Sequence, residues 1–237
     1  MESKKVLLKK LNKPIVFIGP SLTIEKARKI FNADYRPPAK KGDFLRLLAC
    51  INDDDRTIIG LVDGLFLQDY PPTPIEVFQL LIKKNILVLG ASSLGALRAV
   101  ELEKYGMIGI GKIFELYKNN KIDADDEVAV TFTEETQHIQ SEAMIDIRYN
   151  LFIALKKGVI DENTKRAAVK VAKSIYFPNR NYEDIIDETK RIHPSLSDYL
   201  ESFRSYISKN RQSLKEQDAI KLVNYVKMKY EGEISRN

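Results

Sequence analysis

Ser93 is the residue whose surroundings point most directly to chemistry. It lies in the segment LGASSLGALR, residues 89–98, where a predicted strand is followed by a turn of small residues and then by a helix. Ala91 stands two residues before it and Gly95 two residues after it, which is the spacing of a nucleophile elbow. The helix N-terminus that follows supplies backbone N–H donors for an oxyanion. The same pattern also fits a serine that only caps the helix.

A serine nucleophile needs a base, and the chain offers lysines for this role. Its two histidines, His138 and His193, fall in predicted helices or at their edges, away from the predicted strand ends. The loop 35–43 contains two prolines and the adjacent Lys40 and Lys41. A lysine acts as a base when burial keeps it neutral. A lysine beside a glycine in a loop is more often solvated, so both interpretations stay open.

The elements that must position these residues form βαβ units over about the first 130 residues. The predicted strands are 15–18, 57–62 and 86–89, and each is followed by glycine or by Asp63-Gly64. Ligands bind outside the carboxyl ends of parallel strands, so these ends define a candidate site. Asp63 would orient the lysine or bind substrate there, unless it only forms a turn with Gly64.

Local signals predict where several helices begin. Thr73 and Glu76 have the spacing of a capping box with proline at the first helical position, which gives Glu76 a structural role. Thr23 should cap a helix that runs through residue 32, and a further helix is predicted over 43–51.

The pattern changes after one more alternating segment, residues 127–133, which predicts an edge strand. Five amphipathic helices are then expected, over 137–156, 163–176, 182–192, 196–210 and 215–230. We therefore predict an α/β fold with a mostly parallel sheet and flanking helices, plus an α-helical C-terminal region. The expected division is a core with the active-site cleft at 1–135, and a helical region at 136–237 that packs on the core and docks partners.

Charge favours a protein partner for the helical region. The net charge is +5, and the whole excess lies after residue 150. Lysine and glutamate alternate there, which does not favour nucleic acid. Cations such as Lys221 and Lys227 would steer association, with tyrosines as anchors unless these only pack the helices together. These tyrosines are Tyr199, Tyr206, Tyr225 and Tyr230.

Composition argues against several other classes of site. One cysteine, Cys50, and two histidines leave little for a metal site, and the acids of 123–127 are expected in a solvated loop. Segment 89–98 lacks the lysine of a Walker loop and the middle glycine of a dinucleotide fingerprint, which weakens a nucleotide-binding hypothesis. No apolar run reaches the length of a membrane span, and residues 1–13 lack the features of a secretion signal. The expected location is the cytoplasm, with no cofactor and no metal.

Several segments together resemble the TfuA-like family. The likeness extends over roughly residues 14–150, and its segments occur in order along the chain. Such a combination is far more specific than any single motif. The matching segments are 16–22, 35–43, 59–66, 90–102, 105–114, 125–130 and 141–148.

The resemblance implies an enzyme that works with a YcaO protein in peptide backbone thioamidation. It would hydrolyse the C-terminal thiocarboxylate of a ThiS-like, ubiquitin-like sulfur carrier and so release sulfide. The serine and lysine attributed to the family fall on Ser93 and Lys40, with Ser21 and Lys41 as competitors. Oxyanion and substrate contacts would come from Leu94, Gly95, Ser21, Asp63, Arg98 and Gly90.

One departure from the family pattern bears on the substrate. Some branches carry a Trp-His-Lys-Glu run where this chain has residues 73–76. That difference suits an archaeal branch linked to thioglycine in methyl-coenzyme M reductase. The alternative function is a non-catalytic adaptor that binds YcaO and its peptide substrate, with Ser93 as a cap only.

Overall fold

A parallel sheet forms the centre of the N-terminal part of the chain. The structure, a computed structural model, describes residues 11–65, 70–133 and 139–235. Five strands pair in the order β2-β1-β3-β4-β5, and every pairing is parallel. This confirms the predicted α/β class. The strands are β1 Ile15–Phe17, β2 Asp34–Arg36, β3 Thr57–Leu61, β4 Ile86–Ala91 and β5 Ile108–Ile110.

The chain divides into two compact units, residues 1–119 with 218–237 and residues 120–217. Helices of the first unit are α1 Ile24–Ile30, α2 Asp43–Cys50, α3 Pro74–Leu81, α4 Leu94–Leu102 and α5 Lys112–Lys118. Those of the second are α6 Met144–Lys156, α7 Glu162–Ser174, α8 Tyr182–Ile192 and α9 Ser197–Asn210. Helix α10, Leu214–Ile234, begins in the second unit and continues in the first. None of the helices in the described part of the chain is long and apolar enough to cross a membrane.

The core of the first unit lies on both faces of the sheet. One face carries Val16 and Ile18 against α1 and α10, and Leu222 of α10 packs where Gly60 leaves room on β3. On β1, Phe17 packs edge to face against Phe44 of α2, with ring centroids 5.2 Å apart. Burial on both faces explains why the central strands are runs of apolar residues rather than alternating ones.

Helix α10 is also tied to the sheet unit by a buried carboxylate. Asp218 is fully buried and accepts a 2.7 Å hydrogen bond from the Ile113 amide at the start of α5. Gly111 has φ +96°, and a Cβ there would lie 2.3 Å from the Asp218 carboxyl carbon. Glycine is therefore required where the carboxylate reaches the helix N-terminus.

The predicted edge strand over 127–133 is wrong. A 3-10 turn covers Asp125–Glu127, and Phe132 forms only an isolated antiparallel bridge with Ile139. Buried Glu127 explains the difference, because its carboxylate binds Arg148 and Lys173 and holds irregular backbone in place. The following apolar residues are buried without belonging to the sheet.

Candidate active site

The strand order creates a crevice between β1 and β3. Helix α1 leads from β1 to β2 on one side, and the chain then returns past β1 to β3 on the other. Ligands of such sheets commonly bind at the switch point, outside the carboxyl ends of the strands. Ser21 follows β1, Asp63 follows β3, and Ser93 follows the neighbouring β4.

Asp63 binds the loop that follows β1. Its side chain is 1% exposed, and one carboxylate oxygen accepts hydrogen bonds from the amides of Gly19 (2.8 Å) and Ser21 (3.0 Å). The other oxygen accepts from the Ser21 hydroxyl at 2.6 Å. Asp63 thus orients Ser21, which is more than a local Asp-Gly turn would do. Because an internal carboxylate already takes these amides, the loop is poorly suited to a phosphate.

Ser93 lies at the sharp turn between β4 and α4. Ser92 has φ +68°, a conformation that non-glycine residues seldom adopt, so the backbone strain falls one residue before Ser93. Ser93 occupies the N-cap position but makes no capping hydrogen bond with its side chain, and it is 7% exposed. The interpretation of Ser93 as a side-chain cap is therefore wrong. Its hydroxyl is not used to stabilise the helix.

Gly95 lets α4 approach the backbone of β3. A Cβ at this position would lie 1.8 Å from the Leu61 carbonyl oxygen, which no side chain can tolerate. The Gly95 amide donates to the Val62 carbonyl at 3.2 Å, so it is already occupied. The Leu94 amide makes no hydrogen bond within the described ranges. Leu94 is thus the available donor for an oxyanion, whereas the observed role of Gly95 is close packing.

Two more glycines complete the turn. A Cβ at Gly90 would lie 2.2 Å from the Gly95 carbonyl oxygen. One at Gly64 would lie 2.2 Å from the Leu94 side chain. Gly90 and Gly95 therefore pack on each other at the turn that carries Ser93, and Gly64 makes room for the Leu94 side chain.

The lysine loop is held against the end of β3. Ala39 forms a parallel bridge with Gly64, and its amide donates to the Asp63 carbonyl at 3.0 Å. The Leu65 amide returns a 3.0 Å bond to the Ala39 carbonyl. Lys40 therefore directly follows Ala39, which is hydrogen-bonded to the end of the strand that leads to Asp63.

The two lysines of this loop have different surroundings. Lys40 is half-buried, and its amide donates to the Asp43 carboxylate at 2.6 Å. Lys41 is exposed, and its Nζ lies 5.6 Å from the centroid of the Tyr70 ring. Lys40 is thus the more buried residue of the pair, and a lysine base needs shielding from water.

Glu76 has a role that the capping motif does not reveal. The Thr73 hydroxyl accepts from the Glu76 amide at 3.2 Å, which confirms one half of the predicted capping box. A full capping box would also have the Glu76 carboxylate accept from the Thr73 amide, and this contact is wrong. The buried carboxylate instead accepts a 2.7 Å bond from the Gly42 amide. Glu76 therefore anchors the lysine loop to α3.

Arg98 has polar partners within the protein. Its Nε donates to the Pro72 carbonyl at 3.0 Å, and Nη1 contacts both oxygens of Glu101 at 3.0 and 2.8 Å. The guanidinium thus fastens the segment before α3 to α4. Substrate contact by Arg98 stays a prediction.

Comparison with known families matches residues 63–181, half of the chain, to the family described as TfuA-like protein. The chain belongs to the TfuA-like family. The matched segment includes Asp63, Ser93 and Arg98, whereas Ser21 and Lys40 precede it. No curated protein matches the sequence of this TfuA-like chain.

Of the acids in 123–127, Asp123 and Asp125 are exposed as expected, whereas Asp126 and Glu127 are held in ion pairs. Asp126 binds Lys173 and the buried Arg180, and these interactions outweigh desolvation and lower the pKa of its carboxyl. Glu127 is buried in ion pairs with Arg148 and Lys173. In the described part of this TfuA-like protein, no group of three or more His, Cys, Asp or Glu residues could hold a metal ion.

The structure describes one of the two histidines. His193 is exposed at the end of α8, where its amide caps the helix by donating to Thr189. His138 lies outside the described residues.

Proposed function

We propose that this TfuA-like protein hydrolyses the C-terminal thiocarboxylate of a ubiquitin-like sulfur carrier, with Ser93 as nucleophile and Lys40 as base. The sulfide would serve a YcaO enzyme in peptide backbone thioamidation. One observation carries the proposal: the Ser93 hydroxyl stands at a strained strand-to-helix turn without serving as a helix cap. Strain and an uncommitted hydroxyl together favour a functional role over a structural one.

The first step is acyl transfer to the enzyme. Neutral Lys40 takes the proton of the Ser93 hydroxyl, and the oxygen attacks the thiocarboxylate carbon. The Leu94 amide donates to the oxyanion of the tetrahedral intermediate. The carbon–sulfur bond then breaks as the Lys40 ammonium gives its proton to the sulfur, and hydrosulfide leaves with the bonding electrons while the acyl group stays on Ser93.

The second step restores the serine. Water attacks the Ser93 ester, and the Lys40 amine accepts a proton from that water. The ester bond breaks, the Ser93 oxygen regains a proton, and the carrier leaves with an ordinary carboxylate. Overall, thiocarboxylate and water give carboxylate, hydrosulfide and one proton, with no change of oxidation state and no cofactor.

The burial of Ser93 favours a thin substrate. An extended tail that itself ends in glycines can reach a hydroxyl that is only 7% exposed. The folded part of the carrier stays outside, so only its tail needs to enter.

The thioamidated substrate follows from the resemblance alone. Thr73 and Glu76 stand where some branches carry a Trp-His-Lys-Glu run. We extend the proposal to the archaeal role, in which the sulfur becomes the thioglycine of methyl-coenzyme M reductase.

Sulfide release from a thiocarboxylated carrier tests the proposal. The wild-type protein should release one sulfide per carrier, and Ser93→Ala and Lys40→Ala should each abolish release. Lys41→Ala, assayed at saturating carrier so that only the chemical step is compared, is the matched control for the lysine, because Lys41 is exposed and its Nζ lies over the Tyr70 ring. Full turnover by both Ser93→Ala and Lys40→Ala would overturn the assignment. A wild-type protein that binds YcaO and its peptide but releases no sulfide would be the adaptor instead.

A further inference from the structure

The outer face of α3 is apolar and exposed. Ile75, Phe78 and Ile82 recur at the spacing of one helix face, and Ile75 and Ile82 are 71% and 58% exposed. The Phe78 ring packs edge to face against half-exposed Tyr105, with centroids 5.0 Å apart. We call these four residues the α3 patch. Large apolar side chains clustered in this way mark interaction surfaces more often than scattered ones do.

Two lysines beside this patch have no acidic partner in the described part of the chain. Lys104 Nζ lies 5.1 Å from the centroid of the Tyr105 ring. Lys41 lies over Tyr70, which stands four residues before α3 and is itself 73% exposed. Neither lysine forms an ion pair within residues 11–65, 70–133 and 139–235.

The neighbouring acids, in contrast, are already neutralised. Glu101 binds Arg98, and Glu103 binds Lys118. The α3 patch is therefore an apolar centre with a positive margin. Its complement is a protein surface with an apolar centre and acidic side chains at its edge.

The patch begins at the rim of the candidate site. Helix α3 leads from the carboxyl end of β3, so its first turn lies at the crevice end of the sheet. Glu76 in that turn holds the Gly42 amide of the lysine loop. Ile82 lies seven residues beyond Ile75, or about 10 Å along the helix.

We infer that the α3 patch docks the folded domain of the carrier whose tail enters the site. This inference rests on the proposed hydrolysis. A glycine-rich tail offers backbone hydrogen bonds but few side chains, so most of the binding energy must come from another surface of the carrier. The exposed apolar surface adjoining the crevice supplies that contact, and its two lysines select acidic side chains on the carrier.

Helix α10 carries Lys221 and Lys227, the cations expected to steer a partner, but it is less suited to docking. Lys221 is paired with Asp218 at 2.9 Å. Tyr225 and Tyr230 pack against the core of the sheet unit rather than projecting as anchors. Its exposed Met228 nevertheless offers a matched control for the α3 patch.

The test compares two substrates in three variants. Ile75→Glu and Ile82→Glu place charge in the patch without weakening the helix, because glutamate is a good helix former. Met228→Glu makes the same change on α10, where Met228 is 53% exposed. The substrates are the thiocarboxylated carrier and a synthetic thiocarboxylate peptide of its last six residues. We expect either patch variant to raise KM for the carrier about tenfold with kcat unchanged, and to leave kcat/KM for the peptide unchanged.

Binding measured by calorimetry separates the two proposals. The carboxylate form of the carrier should bind Ile75→Glu and Lys104→Glu more weakly than wild type, and Met228→Glu equally well. If the wild-type protein binds the carrier in this manner but releases no sulfide, the hydrolase proposal fails while the docking surface stands. The docking inference is overturned by wild-type affinity in both Ile75→Glu and Lys104→Glu, or by an equal loss of affinity in Met228→Glu.

Discussion

The Ser21 hydroxyl donates a 2.6 Å hydrogen bond to the buried Asp63 carboxylate, across 42 residues of sequence. This bond joins the loop after β1 to the end of β3 and distinguishes the two candidate serines. The Ser21 proton is already held by a carboxylate, whereas the Ser93 hydroxyl makes no capping bond. Ser21 and Asp63 therefore hold the loop after β1 in place and form the floor of the site, meaning its fixed structural part. Ser93 is the better nucleophile.

Asp63→Ala should be strongly destabilising. It leaves the amides of Gly19 and Ser21 and the Ser21 hydroxyl without their acceptor, and each unpaired buried donor costs about 1–3 kcal/mol. We expect the free energy of unfolding to fall by about 3 kcal/mol or more in urea denaturation. Asp63→Asn should lose less, because its carbonyl still accepts from both amides while its NH2 donates to Ser21. Wild-type stability of Asp63→Ala would show that these bonds contribute little.

Gly95→Ala tests the packing of α4 on β3. The added methyl would lie 1.8 Å from the Leu61 carbonyl oxygen, so the helix must move away from the strand. The expected loss exceeds about 3 kcal/mol, with little soluble protein produced. Gly232→Ala in α10 is the matched control, since nothing lies within 4 Å of its added methyl. A Gly95→Ala protein with wild-type thermal stability would contradict the close approach.

Local sequence patterns predicted much of the fold. Runs of β-branched residues identified β1, β3 and β4, and the helix over 182–192 matches α8 at both ends. The edge strands β2 and β5 were missed, because Asp-Tyr-Arg and Ile-Gly-Ile lack the apolar run that marks the equally short β1. The failure at 127–133 has a different cause: Glu127 is buried through ion pairs to residues far along the chain.

In the candidate site, too, some features could be predicted from the sequence and others could not. The turn around Ser93 could be predicted because its small residues are adjacent in the sequence. The bond between Glu76 and Gly42 could not, because it spans 34 residues and depends on how α2 and α3 pack. The contact of Ser21 with Asp63 likewise requires β1 to lie beside β3, which no local motif specifies.

The stability of the helical unit should depend on the charge of Glu142. Burial raises the pKa of this carboxyl from 4.5 to about 6, although Arg211 opposes the rise. Between pH 4.5 and 6 the folded state binds more protons than the unfolded state, so stability falls as pH rises. The loss is at most about 2 kcal/mol.

Glu142→Gln should remove this part of the pH dependence. Urea unfolding at pH 4.5 and pH 7 would measure it, with Glu231→Gln at an exposed position as the control. If Glu142→Gln and wild type lose equal stability between the two pH values, Glu142 is not the group responsible.

Mass analysis of a thiocarboxylated carrier after incubation with wild type, Ser93→Ala and Ser21→Ala tests the central claim most directly. Wild type should convert the thiocarboxylate fully to carboxylate. Ser21→Ala should convert it more slowly, because the floor of the site is disturbed but the nucleophile remains. Ser93→Ala should leave the thiocarboxylate intact while retaining wild-type thermal stability, since no capping bond is lost. Full conversion by Ser93→Ala would contradict the assignment of Ser93 as the nucleophile.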